Sequence, residues 1–186
     1  VEDSYGQTSQ DTLTLDVLDP GPPSIDAVTI DPNPANTTDT LSVQVTGWLD
    51  PADPSNTNET YRYSWYVSDE LGKMQMVSSS ETLDPGYTAK DRTVQVEVTP
   101  YNADYGDGDP QTADLVIVNS VPDTPTVYID PEFPEPGDNL YCVASSDDAD
   151  NDSVSFIYQW TRDGTVTSYA TNVVPADATS HSETWE

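Results

Sequence analysis

Short runs of alternating apolar and polar residues recur along the chain. Leu41, Val43 and Val45 alternate with polar residues, and so do the valines at positions 94, 96 and 98. A two-residue period is typical of β-strands that bury one face, whereas a helix repeats its apolar positions every three to four residues. The pattern predicts an all-β protein, with strands in its central part near residues 26–31, 40–46, 60–67, 74–79, 81–83, 92–99 and 112–119.

Proline and glycine gather between these runs. The chain has 16 prolines and nine glycines, and two dense groups of them stand at residues 19–23 and 121–125. Proline keeps a linker stiff and extended, so the two groups predict domain boundaries. The stretch between them, about 100 residues, is long enough to enclose one modest hydrophobic core.

The chain also repeats itself. Ile-Asp-Pro at residues 30–32 recurs at 129–131, displaced by 99 residues, and Tyr-x-Trp at 63–65 recurs at 158–160, displaced by 95. Unequal displacements predict a surface loop that is shorter in the second copy. We expect residues 23–120 to form one complete domain and residues 1–22 to be the closing strand of a preceding copy with its linker. Residues 121–186 are expected to be an incomplete copy that lacks its last strands.

The order of the strand features points to a known architecture. The second strand holds Val43 or Cys142, the third holds Trp65 or Trp160, and the sixth reads Val-x-Val-x-Val up to Thr99 and a proline. This order resembles the tandem immunoglobulin-like repeats, close to the PKD and cadherin-like modules, of large secreted or surface proteins of bacteria and archaea. The resemblance implies tandem immunoglobulin-like β-sandwich domains of about seven strands each, at an extracellular or cell-surface location.

The single cysteine, Cys142, has two interpretations. In immunoglobulin-like folds the corresponding cysteine bonds a sixth-strand cysteine across the core, beside the third-strand tryptophan. The sixth-strand counterpart of Val96 would fall one residue beyond Glu186, so the resemblance implies a disulfide with a partner beyond this sequence and an oxidising compartment. Alternatively, Cys142 is a small buried hydrophobic residue like its counterpart Val43.

Charge limits the possible partners. The 34 acidic residues, 25 Asp and nine Glu, outnumber five basic ones and give a net charge of −29. Such a surface repels nucleic acid and anionic membranes, so we expect neither nucleic-acid binding nor direct membrane insertion. Solubility alone does not explain the excess of Asp, which favours turns and supplies short oxygen ligands.

The aspartates concentrate in loops that an immunoglobulin-like sandwich would bring to one end of each domain, where the linker also arrives. Clustered carboxylates repel one another unless cations neutralise them, and Ca²⁺ accepts six to eight oxygen ligands in flexible geometry. The sequence therefore predicts Ca²⁺ at the domain junctions, the alternative being that the acidity serves high salt or solubility. The predicted ligands are Asp147, Asp148, Asp150 and Asp152 in the second copy, Asp50, Asp53, Asp104, Asp107 and Asp109 in the first, and Asp123 in the linker. Asp16 and Asp19 would serve the first junction in the same way.

Residues for catalysis are sparse, and we expect no enzymatic activity. The only histidine, His181, lies in a Ser/Thr-rich stretch, and no nucleophile elbow or glycine-rich phosphate loop is present. Aromatic residues without a clear inward pattern, which could stack on sugar rings, make glycan binding an alternative. They are Trp48, Tyr66, Tyr87 and Tyr105.

Three sequons match the N-glycosylation acceptor pattern, at Asn36, Asn58 and Asn151. Their use depends on the host, and a glycan on Asn151 would compete with the predicted calcium site.

The leading functional hypothesis is a segment of an extracellular stalk or filament. Its partners would be neighbouring repeats of the same chain or copies of itself. A glycan-binding adhesin module is one alternative. A second is a subunit of a donor-strand polymer, in which Leu13, Leu15 and Val17 of one molecule would complete the sandwich of the next.

Overall fold

The computed structural model describes residues 2, 4–8, 10–15, 19–53 and 55–186. These residues form antiparallel β-sheets with almost no helix, which confirms the all-β prediction. The helices among them are two three-residue 3₁₀ turns, Pro85–Tyr87 and Ala176–Ala178. Asp16, Val17 and Leu18, where part of the first predicted closing strand falls, lie outside the described residues.

Residues 23–120, the central segment, contain seven strands in the part that the structure describes. They are β1 (Ala27–Asp31), β2 (Ser42–Thr46), β3 (Tyr61–Ser68), β4 (Met74–Ser78), β5 (Thr93–Asn102), β6 (Gly106–Asp107) and β7 (Gln111–Val116). β1 pairs with β2, and the second sheet has the order β4-β3-β5, with β6 and β7 pairing with successive parts of β5. Six of these strands lie within three residues of their predicted positions, and β6 was not predicted.

The predicted strand at residues 81–83 is reduced to one bridge. Leu83 exchanges two backbone hydrogen bonds with Leu41, each 2.9 Å long. The next residues are Asp84 and Pro85. Proline has no N–H to donate, so the ladder ends there.

One apolar core lies between the two sheets of the central segment. β5 alternates strictly, and its valines at 94, 96 and 98 are fully buried. Trp65 of β3 is also fully buried, and its indole N–H donates to the carbonyl of Ser80 at 2.9 Å. Val28 and Ile30 of β1 belong to the same cluster. Two antiparallel sheets around a shared core are compatible with a β-sandwich.

Residues 121–186, the C-terminal segment, form a smaller core. Its strands are β8 (Thr126–Asp130), β9 (Leu140–Ser145), β10 (Thr161–Arg162), β11 (Thr165–Val166) and β12 (Val173–Val174). β9 lies between β8 and β12, and β10 pairs with β11. Leu140, Trp160 and Val174 are buried together, with Cys142 and Trp185 packed beside them.

The two segments share local features at residues that the sequence repeat aligns. Ile30 pairs with Val43 between β1 and β2, and Ile129 pairs with Cys142 between β8 and β9. The indole N–H of Trp160 donates to the carbonyl of Thr171 at 2.9 Å, as that of Trp65 does to Ser80. In both segments, the indole nitrogen of the tryptophan therefore lies 2.9 Å from a backbone carbonyl oxygen.

The segments differ at the third strand of the predicted repeat. Residues 61–68 form β3, which pairs with a strand on each side. Residues 151–160 do not form a strand. In the N-terminal part, described residues 10–15 also have no strand assignment, and Leu13 and Leu15 are exposed to 95% and 81%.

Candidate functional site

The densest group of carboxylates belongs to the acidic loop, residues 146–152, which follows β9. The loop curls around Asp148, whose Oδ1 accepts the backbone N–H groups of Asp150 at 2.8 Å and Asp152 at 3.2 Å. The carbonyl of Asp148 accepts the N–H of Asn151 at 3.0 Å, and Asn151 has a φ of +58°. Asn tolerates this left-handed conformation better than most residues, so the loop can reverse within five residues.

Three carboxylates of the acidic loop converge. Asp148, Asp150 and Asp152 each offer an oxygen, and these oxygens lie within 4.8 Å of one another. Asp148 and Asp150 are half-buried, and Asp152 is exposed. The arrangement presents several hard oxygen ligands to one point, which is the chemistry that Ca²⁺ prefers.

Asp150 joins the acidic loop to the central segment. Its Oδ1 accepts the hydroxyl of Thr37, and its Oδ2 accepts the backbone N–H of Ser120 at 2.6 Å. These bonds, with that from Thr37 the largest contributor, hold the pKa of Asp150 below its ordinary value. Hydrogen bonds to a carboxylate favour its charged form, so the contact is strongest when Asp150 is ionised.

Lys90 supplies a second link between the segments. Its ammonium lies 2.7 Å from both carboxylate oxygens of Asp152 and 3.0 Å from Oδ1 of Asn119. The hydrogen bond to Asp152 is the main reason that the pKa of Lys90 is raised. One positive charge therefore already stands beside the three carboxylates.

Asp148 Oδ2 is a buried oxygen that has no hydrogen-bond partner among the described residues. The matching loop of the central segment begins with the same turn, in which Asp50 Oδ1 accepts the N–H of Ala52 at 2.9 Å and the Asp50 carbonyl accepts that of Asp53 at 3.1 Å. There the second oxygen is satisfied, because Asn102 Nδ2 donates to Asp50 Oδ2 at 2.7 Å. At this second oxygen, the central segment has a donor that the C-terminal segment lacks among the described residues.

The other predicted ligands have different surroundings. Asp50 is 4% exposed and bound to the Asn102 amide. Asp53 receives hydrogen bonds from Ser55 and Asn58, and the bond from Ser55 is the main reason that its pKa falls to about 2. These donors already satisfy both carboxylates.

The predicted ligands of the β5–β7 region and the linker are also separate from the three-carboxylate group. Asp107 forms an ion pair with Arg62 at 3.0 Å, and the N–H of Asp104 donates to Asn102. Asp109 is exposed. In the linker, the Asp123 carbonyl accepts the hydroxyl of Ser146, and the Asp123 N–H donates to the carbonyl of Asp147 at 2.9 Å. Asp123 thus meets the acidic loop through its backbone.

Sequence reasoning missed Thr37 and Lys90, which come from the central segment. Thr37 is 113 residues from Asp150, and Lys90 is 62 residues from Asp152. The only available signal was the rarity of basic residues, since Lys90 is one of five in the chain.

The remaining predicted positions are distributed over the surface and core. Cys142 is half-buried with a free thiol, and its predicted disulfide stays a prediction. Asn36 is half-buried, whereas Asn58 and Asn151 are exposed. The three sequons likewise remain predictions.

The aromatic residues considered for glycan binding divide by burial. Trp48 is 8% exposed and packs edge-on against Tyr61, with ring centroids 5.3 Å apart, so it belongs to the core. Tyr87 and Tyr105 are exposed to 50% and 39%, and Tyr66 is half-buried.

Comparisons with protein families, curated proteins and solved structures gave no match to this chain. Among the described residues, no helix has the length and apolar character needed to cross a membrane.

Proposed function

We propose that this chain is a structural module of an extracellular stalk or filament, built from tandem immunoglobulin-like sandwiches whose junction is stiffened by Ca²⁺. The observation that carries the proposal is the docking of the acidic loop of one segment on the other. Asp150 bonds Thr37 and the Ser120 backbone, and Asp152 bonds Lys90. A module that transmits orientation along an array needs such contacts at each junction.

The shared local features support a tandem array. Pairing of Ile129 with Cys142 repeats that of Ile30 with Val43, and each third-strand tryptophan bonds a backbone carbonyl. A common register at aligned positions is expected when one sequence pattern is used twice, since side-chain alternation fixes strand register.

The short linker supports a stiff junction. Proline at residues 122 and 125 restricts the backbone, and Ser120 is 6% exposed where it meets Asp150. Restricting both the linker and the loop leaves the segments fewer relative orientations. Such a connector suits projection of a distal element from a surface.

Ca²⁺ would complete the junction by neutralising Asp148, Asp150 and Asp152. Asp148 Oδ2, a buried oxygen without a hydrogen-bond partner among the described residues, would then coordinate the ion. Lys90 competes with the ion for Asp152, so the site binds more weakly than three free carboxylates would. We expect affinity in the micromolar to millimolar range that is usual for extracellular modules and sensors.

Calorimetric titration with CaCl₂, combined with thermal unfolding, tests the calcium proposal. At a free concentration of about 100 times Kd, binding stabilises the folded chain by about 2.7 kcal/mol. Asp148→Asn should weaken binding at least tenfold, because it removes a charged ligand and keeps the size of the side chain. Lys90→Met should strengthen binding, because it removes the competing ammonium.

Asp114→Asn is the matched control, since Asp114 lies exposed on β7 and the substitution removes the same charge. Equal weakening by Asp114→Asn and Asp148→Asn would contradict a specific site. Equal stabilisation by NaCl at matched ionic strength would do the same, and would assign the acidity to salt tolerance. Labelling of intact source cells by an antibody against this chain tests the proposed location.

A further inference from the structure

The three-carboxylate group of the acidic loop already holds a cation that the chain itself supplies. The ammonium of Lys90 lies 2.7 Å from both carboxylate oxygens of Asp152 and 3.0 Å from Oδ1 of Asn119. The Lys90 side chain is 30% exposed, so the ammonium is partly withdrawn from water. A monovalent cation therefore stands at one corner of the group, beside Asp152.

The chemical type of this cation is important. The chain has five basic residues, and two of them are lysines, Lys73 and Lys90. An ammonium is a compact point charge, whereas an arginine guanidinium is a planar fork with fixed donor directions. The lysine ammonium is thus the basic group that most resembles a sodium ion.

A buried hydroxyl lies on the other side of the group, beside Asp150. Ser120 is 6% exposed, and its backbone N–H donates to Asp150 Oδ2 at 2.6 Å. Ser120 Oγ is buried and has no hydrogen-bond partner of normal geometry among the described residues. Thr37 contributes most to the lowered pKa of Asp150, and the Ser120 side chain adds to it, so the hydroxyl faces that carboxylate. A cation beside Asp150 would give Ser120 Oγ a partner, because hard cations bind oxygen ligands.

Charge decides which ions can replace the ammonium at Asp152. Coulomb attraction scales with the charge of the cation, so Na⁺ gains no more from the carboxylates than the ammonium does. The ammonium also donates hydrogen bonds to Asp152 and Asn119, and its tether to the chain gives it a high effective concentration. Ca²⁺ carries twice the charge and prefers oxygen ligands, so it can take Asp152 where Na⁺ cannot.

We infer that Lys90 makes the three-carboxylate group selective for divalent over monovalent cations, because its ammonium takes the place that a sodium ion would otherwise occupy. The inference rests on the calcium site of the proposed function and names the residue that sets its ion selectivity. When Ca²⁺ binds, the ammonium leaves Asp152 and keeps its hydrogen bond to Asn119. The junction then responds to Ca²⁺ in a medium that contains far more Na⁺.

Competition between salts tests this selectivity. Calorimetric titrations of the full chain with CaCl₂ are compared in NaCl and in tetramethylammonium chloride, both at about 0.3 M so that charge screening is equal. Tetramethylammonium is too bulky to coordinate carboxylate oxygens closely. In the wild-type chain, the Kd for Ca²⁺ should differ by less than about twofold between the salts. In Lys90→Met, it should be at least about fivefold weaker in NaCl, because Na⁺ then competes by mass action.

Two control variants separate the role of Lys90 from a general effect of charge. Lys73→Met removes the same charge at an exposed position directly before β4, and its ratio of Kd values should equal that of the wild-type chain. Lys90→Arg keeps the positive charge beside Asp152, and its ratio should lie below that of Lys90→Met.

The wild-type chain offers a second measurement that needs no variant. Labelling the lysine side chains with ¹⁵N gives two ammonium signals in NMR spectra, and that of Lys73 serves as the internal reference. In both salts, the ammonium protons of Lys90 should exchange with water more slowly than those of Lys73, because Asp152 and Asn119 hold them. Saturating CaCl₂ should speed exchange at Lys90 at least about threefold and leave Lys73 unchanged.

Two results would overturn the inference and leave the calcium proposal standing. One is calcium binding with the same ratio of Kd values in Lys90→Met and in the wild-type chain. The other is calcium binding that leaves the ammonium signal of Lys90 unchanged. Absence of calcium binding in both chains and both salts would overturn the calcium proposal together with the inference.

Discussion

The hydrogen bond between Asp50 and Asn102 offers a quantitative test of how the acidic loops are stabilised. Asp50 is 4% exposed, and its Oδ2 accepts the Asn102 amide at 2.7 Å. Asn102→Ala leaves this oxygen without its donor, so we expect a loss of about 1.5–3 kcal/mol of unfolding free energy, the range for a hydrogen bond to a charged group. For a unit of about 100 residues this lowers the melting temperature by about 10 °C.

Urea unfolding followed by tryptophan fluorescence measures the change, with an m-value that stays constant. Asn102 also accepts the N–H of Asp104, so a double-mutant cycle with Asp50→Ala isolates the coupling of the pair. A coupling energy under about 0.5 kcal/mol would refute the reasoning. The variant Asn102→Asp sets a second carboxylate against Asp50, and should be destabilised in EDTA and restored by Ca²⁺.

Three further predictions concern packing, backbone and charge. Val96→Ala, at a fully buried site, should cost about 1–3 kcal/mol in urea unfolding, whereas Val116→Ala, at a site 53% exposed, should cost under about 0.5. Gly47→Ala should lower the melting temperature more than Gly72→Ala. Both have a φ near +75–80°. A Cβ at Gly47 would lie 2.2 Å from the carboxyl group of Asp26, whereas a Cβ at Gly72 would have no atom within 4 Å. The pKa of Asp150 is lower in the folded chain than its ordinary value of 3.8. Its contribution to the stability of the junction is therefore complete above pH 3.8 and is lost as pH falls through the lower pKa of the folded state. Small-angle scattering against pH should show a more variable shape in that acidic range, and Asp150→Asn should abolish the transition.

The strands could be predicted because their signal is local. In β5, the alternation of Val94, Val96 and Val98 with polar residues needs only neighbouring positions to be recognised, and the structure buries all three. The strand predicted at residues 81–83 is wrong at residues 81 and 82, which form a bend, and only Leu83 keeps a bridge, to Leu41. The proline at position 85 cannot donate a ladder hydrogen bond, so the pairing does not extend past Leu83.

The carboxylate group could be predicted only in part. Asp148, Asp150 and Asp152 stand close in sequence, so a tight loop was enough to bring them together. Their proposed companions from the linker and the β5–β7 region depend on how separate loops meet. There the structure gives Asp123 a backbone role and pairs Asp107 with Arg62.

The amino-acid sequence by itself determined the all-β class, the positions of most strands and the acidic loop. Each depends on residues close together in the chain, through side-chain alternation, proline and turn-forming aspartate. Only the tertiary structure decided that Thr37 and Lys90 meet the acidic loop, and that Asp50 has an amide partner while Asp148 Oδ2 has none among the described residues. Those contacts join residues tens of positions apart, and their partners are selected by the packing of whole sheets, which local sequence does not specify.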